Sequence, residues 1–184
     1  LATAPSGEVI GADSVSLLLG KSADAMERFY DMGGEVHLAR LPCAVWREQL
    51  LRMKAGGLNS VAIYVFWIHH EEKRGVFDFT GRRDVRRFVM LAAEVGLKVL
   101  MRVGPWDHGE CRNGGHPDWV LNSCGRLRST DPKYMGCVSG WYSALAQQLE
   151  GLFWKDGGPI ALLQVDNGTI VILSRFAALS VSLT

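Results

Sequence analysis

From Asp31 onward the chain alternates between short apolar runs and longer stretches whose apolar residues recur at helical spacing. EVHLAR (Glu35–Arg40) alternates polar and apolar positions and predicts a short strand. Pro42 then opens a helix through AVWREQLLRMKAGG, where Trp46, Leu50, Leu51 and Met53 form a 3.6-residue stripe that Gly56 and Gly57 stop. SVAIYVFW (Ser60–Trp67) is an unbroken β-branched and aromatic run, as expected of a strand covered on both faces. DVRRFVMLAAEVG predicts a second helix, with Asp84 as its cap and Gly96 as its stop. LKVLMRV (Leu97–Val103) reads as a third strand, Pro132–Trp154 as a longer helix entered from Asp131, and PIALLQV (Pro159–Val165) as a fourth strand. Residues 1–30 form a weakly patterned lead-in, whose VSLLLG run allows one early strand.

Strand and helix in strict alternation demand parallel strands joined by helical crossovers, hence an α/β fold. Two architectures satisfy this: a doubly wound open sheet and a TIM (β/α)8 barrel. A nucleotide-binding open sheet should carry a Gly-rich turn after its first strand, but that position reads LPC, without G-x-G-x-x-G or a Walker motif. In a barrel, chemistry gathers on the loops after the strands. Here those loops are IHHEEKRG, GPWDHGECRNGGHPDW and DNG. The barrel therefore fits better. A whole barrel takes roughly 250 residues, so the expectation is its first half, about four βα units, truncated. The expected organisation is a lead-in over 1–30, a partial barrel over 31–167 and a divergent tail over 168–184.

Charge and composition narrow the function. Twenty Lys and Arg against 19 Asp and Glu leave a formal charge of +1, so neither nucleic acid nor an anionic membrane is an expected partner. No 18-residue apolar run suggests a membrane span. The chain starts with Leu and shows no charged-then-apolar leader, which leaves the compartment open. Cys43, Cys111, Cys124 and Cys137 contain no C-x-x-C pair, so one or two disulfides are allowed and no pairing is selected. His69, His70 and Glu71, or His108 with Glu110, could suggest a metal. Adjacent loop histidines diverge, however, and H-x-E lacks the later P-C-x-x-C of a zinc deaminase; no metal site is expected. No G-x-S-x-G supplies a nucleophilic serine, and Cys111 has only His108 and His116 nearby in sequence as bases. Six Trp suit the flat C–H face of a sugar as well as a core. Carboxylates at strand ends are better candidates: Glu110 after the third strand and Asp166 after the fourth. Glycoside hydrolysis needs two carboxyl groups flanking the anomeric carbon, roughly 5–5.5 Å or 6.5–9.5 Å apart. The structural alternative for Glu110 is a salt bridge to Arg102 or Arg112.

Three stretches, GGEVHLARLP, the long run from WREQLL to GGHPDWVL, and DGGPIALLQVDN, together resemble the N-terminal half of the catalytic barrel of family 35 glycoside hydrolases, the β-galactosidases. The resemblance covers about Asp31 to Asn167. It implies a retaining mechanism on β-galactosides, with two glutamates, a covalent galactosyl-enzyme and no metal or organic cofactor. It implies that Tyr64 lines a galactose pocket. It makes Glu110 of HGE the acceptor for galactose hydroxyls, with His108 and the backbone of Gly109 beside it. Asn167 matches the Asn that bonds the sugar 2-OH, while Trp106 and Trp119 would shape the wall or pack the loop, with packing favoured for Trp119. The match ends where the family reads Q-x-E-N-E. This chain has Gln164, Val165, Asp166, Asn167 and Gly168, so Gly168 occupies the acid/base position, and the nucleophile belongs to a seventh strand that these residues do not reach. The tail TIVILSRFAALSVSLT contains no acid, which points to divergence at or near Asn167. The expectations are therefore an inactive relative of a β-galactosidase, or alternatively a galactose-binding remnant or a non-functional fragment whose open fourth strand drives self-association. The resemblance implies an extracellular, vacuolar or lysosomal setting.

Overall fold

The computed structural model describes residues 9–20, 24–167 and 169–171. Strands β1 (Val9–Ala12), β2 (Leu17–Gly20) and β3 (Met26–Phe29) form an antiparallel sheet in that order. The VSLLLG run is therefore the middle strand of three. Strands β4 (Gly33–Val36), β5 (Ser60–Tyr64), β6 (Lys98–Arg102) and β7 (Ile160–Val165) follow as parallel neighbours in chain order. Helices α1 (Trp46–Ala55), α3 (Val85–Val95) and α5 (Pro132–Leu149) make the crossovers, while α2 (Trp67–His70) and α4 (Asp118–Ser123) are short turns in the loops. The caps work as the residue types require. The Asp84 carboxylate accepts from the Arg87 N–H (2.8 Å), Gly96 turns left-handed at φ 79°, and the Asp131 carboxylate accepts from the Lys133 N–H (2.9 Å).

Each strand splits its residues between two faces. Val61, Ile63, Val99, Met101 and Leu163 turn toward the helices, where they join Trp46, Leu50, Phe88, Val89, Trp141 and Leu145 in one core. The alternate positions Ala62 and Tyr64, Leu100 and Arg102, and Leu162 and Gln164 stand in register on the other face. That second face is the one whose upper rim meets the loops.

Four boundaries differ from the expectation. EVHLAR is a strand only to Val36, and Leu38–Arg40 turns into a 3-10 helix that buries Leu38. The strand instead begins at Gly33, paired to Ser60. SVAIYVFW leaves the sheet after Tyr64 and becomes helical at Trp67, placing that indole in the core. The long helix stops at Leu149, because Gly151 takes φ 75° and Phe153 bridges back to Ile160. Finally, β7 is not an open edge over Leu163–Val165: β8 (Thr169–Val171) pairs with it antiparallel, which answers part of its unpaired backbone. Cys124 and Cys137 form a disulfide joining the end of α4 to α5, and Cys43 and Cys111 are free thiols. Among the described residues no helix is long and apolar enough to cross a membrane. Gly168 and most of the tail lie outside the described residues.

Candidate functional site

The parallel strands end together, and their last inward residues meet around Arg102. Its Nε donates to Gln164 Oε1 (2.8 Å) and its Nη1 to Glu35 Oε2 (3.0 Å) and to the Tyr64 hydroxyl. The guanidinium also lies 4.4 Å from the Tyr64 ring centre. One side chain thus ties the ends of β4, β5, β6 and β7. Tyr64 is further fixed by stacking on Phe66 (5.3 Å, 14°) and against His37 (4.6 Å). Burial pushes the Glu35 carboxyl up, but hydrogen bonds from His37 and Arg102 outweigh it and hold it below the usual carboxylate range.

The loop after β6 is an unusual backbone. His108, Gly109 and Glu110 are consecutive left-handed residues, at φ 58°, 50° and 48°. Gly109 is required there: a Cβ would stand 2.6 Å from a Phe66 ring carbon. Its carbonyl accepts from Arg40 Nη2, and Arg40 Nη1 lies 3.6 Å from Glu110 Oε2. The Glu110 side chain is otherwise 85% exposed. Neither alternative partner holds it, since Arg102 pairs with Glu35 and Arg112 with Asp118. Beside this loop lies a cleft of about 350 Å3 bounded by Arg40, Phe66, His69, Glu72, Cys111 and Arg112. Gly109 also neighbours Tyr64, since a Cβ there would stand 3.4 Å from a Tyr64 ring carbon, and Glu110 is displayed next to it. His108 is exposed, edge-on to Trp106. Asn167 is exposed at the end of β7, its Oδ1 3.5 Å from Gln164 Nε2. Gly168, expected at the acid/base position, is not described.

Other candidates resolve into packing. Trp119 donates to the Glu71 carbonyl (3.0 Å) and meets Trp67 edge-on. His70 Nδ1 donates to the Asp78 carbonyl (3.0 Å) between Phe79 and Trp141, and burial pulls its pKa down to about 3. His116 donates from Nδ1 to the Asn113 carbonyl, its Nε2 lies 2.8 Å from the Tyr134 hydroxyl, and burial lowers its pKa, which favours the neutral ring. Burial pushes the Cys111 thiol up, away from the thiolate a nucleophile needs. Among the described residues no three His, Cys, Asp or Glu cluster as metal ligands.

Sequence reasoning missed Arg40 and Asp107, and named Arg102 only as a salt-bridge partner for Glu110, whereas it pairs with Glu35. Asp107 is buried, and one of its carboxyl oxygens has no partner among the described residues. That oxygen is wedged between Gly104 and Gly115, where a Cβ would stand 3.0 and 3.3 Å from it. Burial drives its pKa well above the usual 3.8, against the pull of Arg102 and a Gly104 backbone hydrogen bond. The folded chain then keeps a proton that the unfolded chain releases, so the stability that Asp107 contributes is fully present below about pH 4 and is lost as pH rises through the folded value. Asp107→Asn is neutral at every pH. It is expected to gain about 1–3 kcal/mol over the parent at pH 7, an advantage that shrinks to nothing near pH 4. Urea melts at the two pH values check this; equal stability at pH 7 would count against it.

With this geometry in place, the comparisons with known proteins bear on it directly. The family model described as "Glycosyl hydrolases family 35" matches residues 24–172. This chain belongs to glycosyl hydrolase family 35. It is 44% identical over 140 residues to human Beta-galactosidase-1-like protein 2, covering 76% of this chain and 22% of that protein. It is 41% identical to the Beta-galactosidase of Mus musculus over the same shares, and 41% identical to that of Xanthomonas manihotis over 74% of this chain and 23% of that protein. The family 35 chain thus spans about 22% of the length of the human relative. Among solved structures it is similar to the exo-beta-1,4-mannosidase Op5Man5 from Opitutaceae bacterium strain TAV5, with a TM-score of 0.61 at 19% identity over 91% of this chain and 28% of that one. It is also similar to the beta-galactosidase of the psychrophilic Marinomonas ef1, with a TM-score of 0.56 at 18% identity over 75% and 22%. These likenesses show the fold, that of the TIM-barrel glycoside hydrolases.

Proposed function

We propose that this chain supplies the first half of a family 35 barrel and that its strand ends hold a terminal β-galactosyl residue without hydrolysing the bond. The observation that carries the reading is the loop from His108 to Glu110. Three left-handed residues are locked between Phe66 and Arg40, and they display the exposed His108 ring and the Glu110 carboxylate, the latter beside Arg40. A fixed backbone with an exposed acceptor suits recognition of vicinal sugar hydroxyls, because the cost of ordering the loop is met before the ligand arrives. Asn167 offers an amide at the rim, and Tyr64, buried among Arg102, Phe66 and His37, backs that rim from beneath. In the relatives' family, retention requires an acid/base and a nucleophile roughly 5–5.5 Å apart. Gly168 stands where the family motif has its acid/base and has no proton to give. Asp166 is no substitute, since its Oδ2 is already paired with Arg128 (2.7 Å).

The test is a titration of the purified 184-residue chain with methyl β-galactoside, alongside a chromogenic β-galactoside assay. Saturable binding without release of the chromophore is expected. Turnover above the buffer rate would overturn the inactivity, and absence of binding by a chain that melts cooperatively would overturn the holding role.

A further inference from the structure

Asp166 follows β7 with φ 52°, a left-handed backbone that Asp visits more readily than most residues and that its surroundings hold in place. Two contacts do so. Its N–H donates to the Gly104 carbonyl (2.6 Å), and its Oδ2 accepts from Arg128 Nη2 (2.7 Å). Arg128 arrives from 38 residues away, and its guanidinium also lies over the Trp106 ring, 5.0 Å from the centre. Trp106 in turn is pressed against Gly114 and meets His108 edge-on, where the left-handed run begins. One planar cation therefore touches both Asp166, between the end of β7 and Asn167, and the loop that carries Glu110.

The segment that presents Arg128 is itself fastened. It runs between Cys124 and Cys137, which are joined by the disulfide. Inside it, the Asp131 carboxylate accepts from the N–H groups of Arg126 (3.1 Å) and Lys133 (2.9 Å), and Ser129 Oγ donates to the Arg126 carbonyl (2.7 Å). Arg128 sits within this knot at φ 49°.

We propose that Arg128 is a positioning residue of the sugar site: it fixes the end of β7 and the β6 loop relative to each other, so that Asn167 and Glu110 face one ligand. This rests on the galactoside-holding reading above. A guanidinium can bond a carboxylate in its plane and stack by its face at once, whereas a compact ammonium has no planar face to lay against the ring while it holds the carboxylate.

The experiment uses the full chain with Arg128→Ala, Arg128→Lys and Asp166→Asn. NMR follows the Asn167 side-chain amide and the Trp106 indole N–H, with the buried Trp67 and Trp141 indoles as controls for the fold. In Arg128→Ala the Asn167 and Trp106 signals are expected to move together while the controls stay, and methyl β-galactoside is expected to bind about 10-fold more weakly. Lysine should return the Asn167 signal toward its parent position and leave the Trp106 signal displaced. Unmoved Asn167 and Trp106 signals in a folded Arg128→Ala chain would overturn the proposal. If that variant does not fold, Asp166→Asn decides: a displaced Asn167 amide supports the role and an unmoved one refutes it. Should the parent chain bind no galactoside, the holding reading fails, while the NMR signals still judge Arg128.

Discussion

Trp141→Ala is expected to cost about 3–5 kcal/mol, enough to leave little of a domain's usual stability. Trp141 is fully buried on the inner face of α5. Its ring lies parallel to Trp67 (6.0 Å, 10°) and Phe79 (6.4 Å, 8°) and near-parallel to the His70 imidazole (5.7 Å, 27°). Its Nε1 donates to the Val103 carbonyl (3.0 Å), which lies just past the end of β6. Truncation opens a cavity between helix and sheet and strands that carbonyl without its donor, and the two losses fall in the same place. Urea denaturation followed by circular dichroism measures the effect. A loss under about 1 kcal/mol would mean that the site collapses around the missing ring, which a stack of four aromatic groups does not readily allow.

Glu110→Gln is expected to act in the opposite way, leaving the fold alone and removing the ligand. The side chain is 85% exposed and its pair with Arg40 spans 3.6 Å in solvent, so little stability depends on it. Hydrogen bonds from sugar hydroxyls to a carboxylate are stronger than those to an amide. The substitution should therefore weaken methyl β-galactoside binding about 10–100-fold with an unchanged melting curve. Calorimetric titration of the parent and the variant checks this. An unaltered affinity would remove Glu110 from the site.

The two predictions fall on residues of very different legibility. Trp141 belongs to an apolar helix whose start was readable from Asp131 and Pro132, because caps are local chemistry and need no partner far along the chain. The same holds for Asp84 and Gly96. The three-residue left-handed run was not readable: only Gly109 among His108, Gly109 and Glu110 is a residue type that signals it. Phe66 and Arg40, which impose the run, lie 43 and 69 residues from Gly109. Arg102 could be read only as a salt-bridge partner for Glu110, yet the register of four strands makes it the hub of Glu35, Tyr64 and Gln164. The β1–β3 sheet was barely visible because its strands are four residues each, too short for periodicity to separate from chance.

What the sequence determined by itself is the alternation of the four parallel strands with their crossover helices, and the family. Apolar periodicity, caps and breakers act within a few residues, and the motif residues around Glu110 and Asn167 are read directly. What only the tertiary structure decided is which groups meet: Arg40 with Gly109, Arg102 with Tyr64, and Arg128 with both Asp166 and Trp106. Those pairings join residues tens of positions apart, and they exist because parallel strands bring their ends to one rim, where burial raises the cost of any polar group left unmatched.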